Sequence, residues 1–116
     1  MSKVYDLEER TFQFAKEVRL FIKTLKKTIA NIEDSKQVIR SSGSIGANYI
    51  EANESLGDKD FKFRVKISRK EAKETVYWLR LINETNDLKN KQIIENLIQE
   101  ALEIKKILSA ILNNSK

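Results

Sequence analysis

Residues 59–86 read KDFKFRVKISRKEAKETVYWLRLINETN, and this stretch decides the fold class. Its apolar and small side chains recur at alternating spacings of four and three residues, which places them on one side of an α-helix. These side chains belong to Phe61, Val65, Ser68, Ala72, Val76, Leu79 and Ile82. Gly57 and Asp58, directly before the stretch, are typical of a helix end followed by an N-cap. The stretch therefore predicts a long amphipathic helix.

The same periodicity extends outward in both directions and predicts three further helices. The four predicted helices span about residues 7–30, 36–54, 59–86 and 91–113. Asp6 with Glu9 resembles a capping box at the start of the first helix, and the polar cluster 31–35 offers N-caps for the second. The last apolar stripe consists of Ile94, Leu97, Ala101, Ile104, Leu108 and Ile111. No segment shows the alternation of a β-strand.

The connections between the predicted helices are short and polar, and the chain has no proline and three glycines. Connections of about four or five residues place consecutive helices side by side and antiparallel. A repeat close to the heptad predicts left-handed packing. The expected fold class is therefore all-α: an antiparallel up-down-up-down left-handed four-helix bundle, formed by residues 1–116 as a single domain.

The composition argues against catalysis, because the 116 residues include no cysteine and no histidine. Disulfides and thiolate metal sites are thereby excluded, and the usual general base and the Glu-x-x-His pair of di-iron bundles are missing. The pairs Glu51/Glu54 and Glu71/Glu74 have an i, i+3 spacing that is more simply solvated or paired with lysine. We therefore predict no catalytic residue, no metal site and no cofactor, and hence no enzyme.

The N-terminal residues lack the apolar core of a signal peptide, and no run of about 18 apolar residues is present. We therefore expect a soluble, cytoplasmic protein. A membrane and a small-molecule substrate are not expected among its partners.

Residues 41–47, SSGSIGA, form a run of small side chains. Within this run, Gly43-Ser44-Ile45-Gly46 matches the GxxG loop of KH domains, but that loop belongs to an α/β domain. Small side chains inside a helix more simply allow a second helix to approach closely, at about 1 kcal/mol per glycine in helix propensity. We interpret the run as a packing feature.

The third predicted helix carries a basic sector about 100° wide on its helical wheel, with no acidic residue inside it. The sector consists of Lys59, Lys62, Lys66, Arg69, Lys70, Lys73 and Arg80. Asp60, Glu71 and Glu74 lie on roughly the opposite side. In a chain with a net charge of +5, such a sector is suited to a phosphate backbone. Alternatively, it faces the acidic side of a neighbouring subunit, or it is merely solvated.

The apolar residues of the fourth predicted helix spread over about 220° of its wheel, against the stripe of about 100° that is typical of a surface helix. The segment 76–82 is also apolar on more than one side. This excess predicts self-association, with an oligomer interface formed by Trp78, Leu81, Ile93 and Ile107. A thick core within one subunit is the alternative interpretation.

Several segments resemble the bacterial four-helix bundle proteins named after open reading frames in 23S rRNA intervening sequences. The likeness is carried by residues 6–10, 40–52, 59–61, 70–75 and 78–79, and its most specific part is 40–52, RSSGSIGANYIEA. The resemblance implies a homo-oligomeric, pentameric bundle without an established activity. A related branch comprises the basic pentameric accessory proteins of diversity-generating retroelements, which work with a reverse transcriptase and its RNA; no residue assigns the chain to that branch.

Two functions follow as hypotheses. In the first, a non-catalytic homo-oligomer binds RNA or a ribonucleoprotein through the basic sector. The phosphate contacts would then come from Lys62, Lys66, Arg69, Lys73 and Arg80. In the second, the chain is a structural or adaptor oligomer that binds a protein partner and uses the basic sector for subunit contacts.

Overall fold

A computed structural model describes the backbone of residues 3–114 and the side chains of residues 7–114. Within that range the chain forms four α-helices and no strand. The helices are α1 Lys3–Ile22, α2 Ile29–Asn53, α3 Asp58–Thr85 and α4 Lys91–Asn114. The predicted all-α class with four helices is confirmed. No helix in the described range is long and apolar enough to cross a membrane.

The predicted boundary between the first two helices is wrong, whereas α3 and α4 begin and end within one residue of their predicted bounds. α1 ends at Ile22 instead of continuing to about residue 30, and α2 begins at Ile29 instead of about residue 36. The turn between them contains Leu25, which continues the apolar spacing of α1 in the sequence and packs against the core from the turn. Because no glycine or proline marks this turn, periodicity alone did not separate it from a helix.

The N-caps also differ from those predicted. Thr28 caps α2, because its backbone is extended and its Oγ1 accepts a hydrogen bond from the Asn31 backbone N–H at 3.1 Å. The predicted cap cluster 31–35 lies inside α2. α1 begins at Lys3, so Asp6 lies within the helix, and its side chain is outside the described range.

We expect Thr28→Ala to lower the free energy of unfolding by about 1 kcal/mol, since a backbone N–H of the first turn of α2 loses its partner. Ser35→Ala is the matched control, because Ser35 lies inside α2, where alanine is the better helix former. Urea unfolding followed by circular dichroism measures both variants. A larger loss for Ser35→Ala than for Thr28→Ala would contradict this helix start.

Contacts between side chains show that α2 runs antiparallel to both α1 and α3. The start of α2 meets the end of α3 where Asn31 and Asn86 exchange two amide hydrogen bonds of 2.7 and 2.9 Å. The end of α2 meets the start of α1 where Asn53 Nδ2 donates to Glu8 Oε2 at 2.8 Å. Each contact joins the first turns of one helix to the last turns of its neighbour.

α4 packs against both α1 and α3 and closes the bundle. Its Glu100 accepts two hydrogen bonds from Arg10 of α1, at 2.7 and 2.8 Å, and its Ser109 accepts one from Arg69 of α3 at 3.5 Å. α1 lies diagonally opposite α3, and α2 lies diagonally opposite α4. This arrangement agrees with the up-down-up-down order that the short connections predict, and the left-handed sense of packing stays a prediction.

The apolar stripes of the four helices meet in one core. Its completely buried side chains include Val18, Val38, Ile45, Val65, Leu79, Ile82, Ile94, Ile104 and Leu108. Hydroxyl groups join α2 to α3 inside this core: Ser68 Oγ donates to the Ile45 carbonyl at 2.7 Å, and the hydroxyls of Thr75 and Ser41 lie 2.8 Å apart. These contacts satisfy buried polar groups and fix how α2 and α3 align.

Candidate functional site

The predicted basic sector lies on the surface of α3. Five of its cations are exposed, and we call them the basic face: Lys59, Lys66, Lys70, Lys73 and Arg80. Lys59, Lys66, Lys73 and Arg80 follow each other at intervals of seven residues, so they form a row about 32 Å long with a spacing of about 10 Å. The molecule itself is 45 Å long. Within residues 7–114, none of the five pairs with a carboxylate.

The two other predicted cations already have partners. Lys62 Nζ lies 3.0 Å from Asp58 Oδ2, one turn earlier in α3. Arg69 is half-buried, and its Nη1 donates to Ser109 Oγ of α4 at 3.5 Å. Either side chain must give up a contact before it binds a phosphate, so we assign both a smaller role than the basic face.

α4 adds two cations beside the basic face. Ser109 faces α3, and Lys105 precedes it by one helical turn, so Lys105 lies on the same side of α4. Because α3 and α4 are antiparallel, Lys105 lies level with Lys73 of α3. Lys106 is its exposed neighbour. This pair was not predicted from the sequence, since the wheel of one helix does not show which flank meets the next helix.

The acidic side of α3 is turned toward α2. Glu71 is 7% exposed, and its Oε1 lies 3.2 Å from Arg40 Nη1 of α2 without accepting an aligned hydrogen bond. Glu74 accepts hydrogen bonds from Arg40 Nη2 and from Trp78 Nε1, the latter at 3.2 Å. Only Asp60 of the predicted acidic side is exposed. A subunit contact between the basic sector and this acidic side would therefore lack two of its three carboxylates.

Arg40 of α2 supplies the positive charge that pairs with Glu71 and Glu74 on the acidic side of α3. Burial lowers the pKa of Arg40, but the nearby carboxylates of Glu71 and Glu74 outweigh this effect and raise its pKa above the ordinary value. The glutamate pair is thus paired with an arginine of α2, where the sequence predicted solvent or lysine. Among residues 7–114, no group of three or more carboxylates is placed to hold a metal ion.

The four residues predicted for the oligomer interface are only partly exposed. Trp78 is half-buried and meets Tyr77 edge-on, with ring centroids 5.1 Å apart. Leu81 and Ile107 are also half-buried, whereas Ile93 is 48% exposed. Their role in an interface stays a prediction.

The broad apolar surface of α4 is used mostly inside the subunit. One stripe is fully in the core, and its flanks pack against that core because α4 contacts both α1 and α3. The flanking residues are Ile98, Ile107, Ile111 and Leu112. The thick-core interpretation therefore accounts for most of the breadth that the wheel shows.

A groove between α1 and α2 exposes apolar side chains that were not predicted to form a functional surface. We call it the α1/α2 groove; its volume is about 660 Å³, and its apolar lining includes Phe12, Ala15, Leu20, Gly43, Gly46, Ala47 and Ile50. Phe12 is 63% exposed, Leu20 45% and Ile50 47%. In the sequence these three residues lie outside the predicted apolar stripes. They could therefore have been recognised as apolar side chains that no neighbouring helix of the bundle covers.

The small-residue run of α2 forms the floor of the α1/α2 groove. A Cβ atom at Gly46 would lie 2.8 Å from Thr11 Oγ1 and 3.2 Å from Thr11 Cβ. A Cβ atom at Gly43 would meet only the end of the Arg19 side chain, at 3.3 Å. Gly46 is therefore the position that lets α1 approach α2 closely, which confirms the packing interpretation there.

These features define an all-helical four-helix protein with a basic face on α3 and an apolar groove between α1 and α2. The chain belongs to the family of 23S rRNA-intervening sequence proteins, whose family model matches residues 3–110. The resemblance that the sequence shows is thereby confirmed and extends into α4.

One solved structure is similar over nearly the whole chain. It is the crystal structure of a protein of unknown function from the S23 ribosomal protein family of Bacteroides thetaiotaomicron. The two proteins are 32% identical with a TM-score of 0.84, and the match covers 97% of this chain and 100% of the other. No curated protein matches this chain.

Proposed function

We propose that this chain is a non-catalytic homo-oligomer that binds RNA, alone or in a ribonucleoprotein, through the basic face of α3. The observation that carries the proposal is the row of exposed cations, about 32 Å long, whose members pair with no carboxylate within residues 7–114. Such a row follows a phosphate backbone and releases the counterions bound there, which drives binding and makes it depend on salt.

Aromatic side chains stand beside the cations and favour single-stranded RNA. Tyr77 is 57% exposed and lies one turn from both Lys73 and Arg80, and Phe63 is equally exposed one turn from Lys59 and Lys66. Unpaired bases stack on such rings, whereas the bases of a duplex are not accessible to them. We therefore expect binding with little sequence preference and a preference for unpaired segments.

The names of the related proteins point to RNA among the possible polyanions. The family is that of 23S rRNA-intervening sequence proteins, and the similar crystal structure is assigned to a ribosomal protein family. We accordingly propose RNA rather than a membrane surface as the partner, and a cytoplasmic location.

The exposed apolar groove supports the homo-oligomeric part of the proposal, because apolar patches of this kind on a surface commonly mark a protein contact. Five subunits, as implied by the resemblance, are the number that we propose. A ring would repeat the basic face on every subunit, so one RNA could contact several copies and bind more tightly than to a single copy.

Replacing all five residues of the basic face with glutamine should weaken RNA binding and flatten its dependence on salt. Each phosphate contact to a single strand contributes about 0.7 to the slope of log affinity against log salt concentration, so five lost contacts lower the slope by about 3.5. Between about 50 and 200 mM salt, the affinity of the wild type should then fall about 100-fold more than that of the variant. Fluorescence anisotropy with a labelled single-stranded RNA measures both slopes.

The control variant removes the same charge elsewhere on the surface. It replaces five other exposed lysines with glutamine: Lys26, Lys27, Lys36, Lys89 and Lys91. This variant should retain most of the affinity and of the slope. Equal losses in the two variants would contradict the proposal, and so would a basic-face variant that loses its assembled mass in light scattering, because the face would then serve subunit contacts.

A further inference from the structure

We infer that the α1/α2 groove is the docking site for a second copy of this chain, which inserts the corner where α2 turns into α3. We call that corner the acidic corner and define it by Glu51, Glu54, Leu56, Asp60 and Phe63. The inference rests on the proposed self-association and names the two surfaces that would meet.

The groove combines an apolar lining with a basic rim. Lys16, Arg19 and Lys23 line it together with one acidic residue, Glu8, which leaves an excess of two positive charges. The Arg19 guanidinium donates to the backbone carbonyls of Ala15 and Ile39, at 3.0 and 3.4 Å, so these contacts do not cancel its charge. Within residues 7–114, none of the three cations pairs with a carboxylate.

The acidic corner has the complementary composition. Leu56 is fully exposed at the tip of the turn, and Phe63 is 57% exposed on the first turns of α3. The three acidic residues of the corner are exposed, and Lys59 is the exposed cation beside them. Lys62 is paired with Asp58, so that their charges cancel. Arg64, one turn after Asp60, is half-buried and donates to Asn48 Oδ1 of α2 at 3.5 Å. The corner thus has an excess of one negative charge around two unpacked apolar side chains.

The two surfaces match in charge and in polarity, and every copy of the chain carries both. Docking would place Leu56 among Phe12, Leu20 and Ile50, where water would be excluded from all four side chains. An acidic helix of another protein could match the charge as well, but the corner is already present at the concentration of the protein itself. We therefore commit to the second copy as the occupant.

A contact between two different surfaces of one chain determines how the subunits assemble. It joins subunits head to tail, and such a contact closes into a ring when the rotation between neighbours allows it. Two of the five cations of the basic face, Lys59 and Lys66, lie one turn from Phe63 of the acidic corner, and the other three lie farther along α3. Assembly through these surfaces would cover Phe63 but leave Lys70, Lys73 and Arg80 open to RNA, together with the exposed ring of Tyr77.

Leu56→Ser tests the acidic corner without disturbing the fold, because Leu56 contacts no part of its own core. We expect the variant to raise the dissociation constant of the assembly at least about tenfold, as the loss of one buried leucine implies. Ile29→Ser is the matched control, since Ile29 is 86% exposed at the other end of α2 and should leave assembly unchanged. Sedimentation equilibrium of the full chain without RNA measures all three proteins.

A second pair of variants tests whether the two surfaces meet each other. Lys16→Glu with Lys23→Glu should abolish assembly, and adding Glu54→Lys and Asp60→Lys in the same chain should restore it. When Leu56→Ser is mixed with Lys16→Glu/Lys23→Glu, one intact groove and one intact corner remain. At a concentration at which Leu56→Ser alone is monomeric, we expect a heterodimer of twice the 13.5 kDa chain mass and no larger species.

Each remaining outcome overturns the inference in a distinct way. A wild type that assembles while Leu56→Ser and the charge variants have no effect places the interface elsewhere, for example at Ile93. A wild type that stays monomeric also removes the proposed self-association, and groove binding of an added acidic amphipathic peptide would then identify a foreign helix as the occupant. RNA binding by the basic face is measured in a separate experiment, so a failure of this inference does not decide that proposal.

Discussion

Arg40→Met should lower the free energy of unfolding by about 3 kcal/mol, the largest loss that we expect from changing one side chain near the surface. The variant leaves the Glu71 carboxylate, which is 7% exposed, without its counter-charge. Removing one partner of a buried ion pair costs about 3–5 kcal/mol, and we take the lower end because the Arg40 side chain is 48% exposed and water can enter its place. Urea unfolding at neutral pH measures the loss.

The double variant Arg40→Met/Glu71→Gln separates the charge effect from the loss of packing. With the buried Glu71 charge also removed, only the carboxylate of Glu74, which is 34% exposed, lacks its partner, so the double variant should be more stable than Arg40→Met alone. Arg80→Met is the matched control, because Arg80 is exposed on the basic face and should leave the stability unchanged. Equal stability of the single and double variants would show that Arg40 acts only through its aliphatic contacts.

Gly46→Ala should also destabilise the protein, by about 1–2 kcal/mol, although alanine is the better helix former. The new Cβ atom would lie 2.8 Å from Thr11 Oγ1. That hydroxyl is held by the carbonyls of Leu7 and Glu8, at 2.9 and 3.0 Å, so α1 must move away from α2. Overpacking costs about 1–3 kcal/mol, and we take the upper part of that range because so short a contact forces a shift. The gain of about 1 kcal/mol in helix propensity then leaves a net loss of about 1–2 kcal/mol.

Gly43→Ala is the matched control, since it is the same substitution three residues earlier in α2. Its Cβ atom would meet only the end of the flexible Arg19 side chain, so we expect a gain in stability of up to about 1 kcal/mol. Thr11→Ala combined with Gly46→Ala should recover part of the loss. Thermal unfolding compares the four proteins, and equal effects at the two glycines would mean that Gly46 does not limit the approach of the helices.

The sequence determined the four helices wherever their ends carried a chemical signal. Gly57 and Asp58 mark the start of α3, although Gly57 is the N-cap, with an extended backbone, and Asp58, predicted as the N-cap, is the first helical residue. The polar cluster 86–90 marks the end of α3, so both ends lie within one residue of the prediction. The turn between α1 and α2 carries no such signal, and Leu25 even continues the apolar spacing through it. The sequence does not identify Thr28 as the N-cap, because that role depends on an extended backbone at this residue.

The candidate site was predictable only where it lies on one helix. The basic sector of α3 could be read from its wheel, because all seven cations share the same helix. The wheel could not show that Lys62 and Arg69 have partners, that Lys105 stands beside Lys73, or that Arg40 neutralises Glu71 from α2. Each of these facts depends on which flank of a helix meets its neighbour.

The sequence by itself therefore determined the all-helical class, the apolar stripes and the segregation of charge on α3, since all three follow from the period of a single helix. Only the tertiary structure decided which apolar residues remain exposed. The helical wheel predicted that part of the broad apolar surface of α4 is exposed. In the structure α1 and α3 cover most of that surface, whereas Phe12, Leu20 and Ile50 remain exposed in the α1/α2 groove. The reason is physical: burial is a property of two surfaces in contact, and a sequence pattern describes one surface at a time.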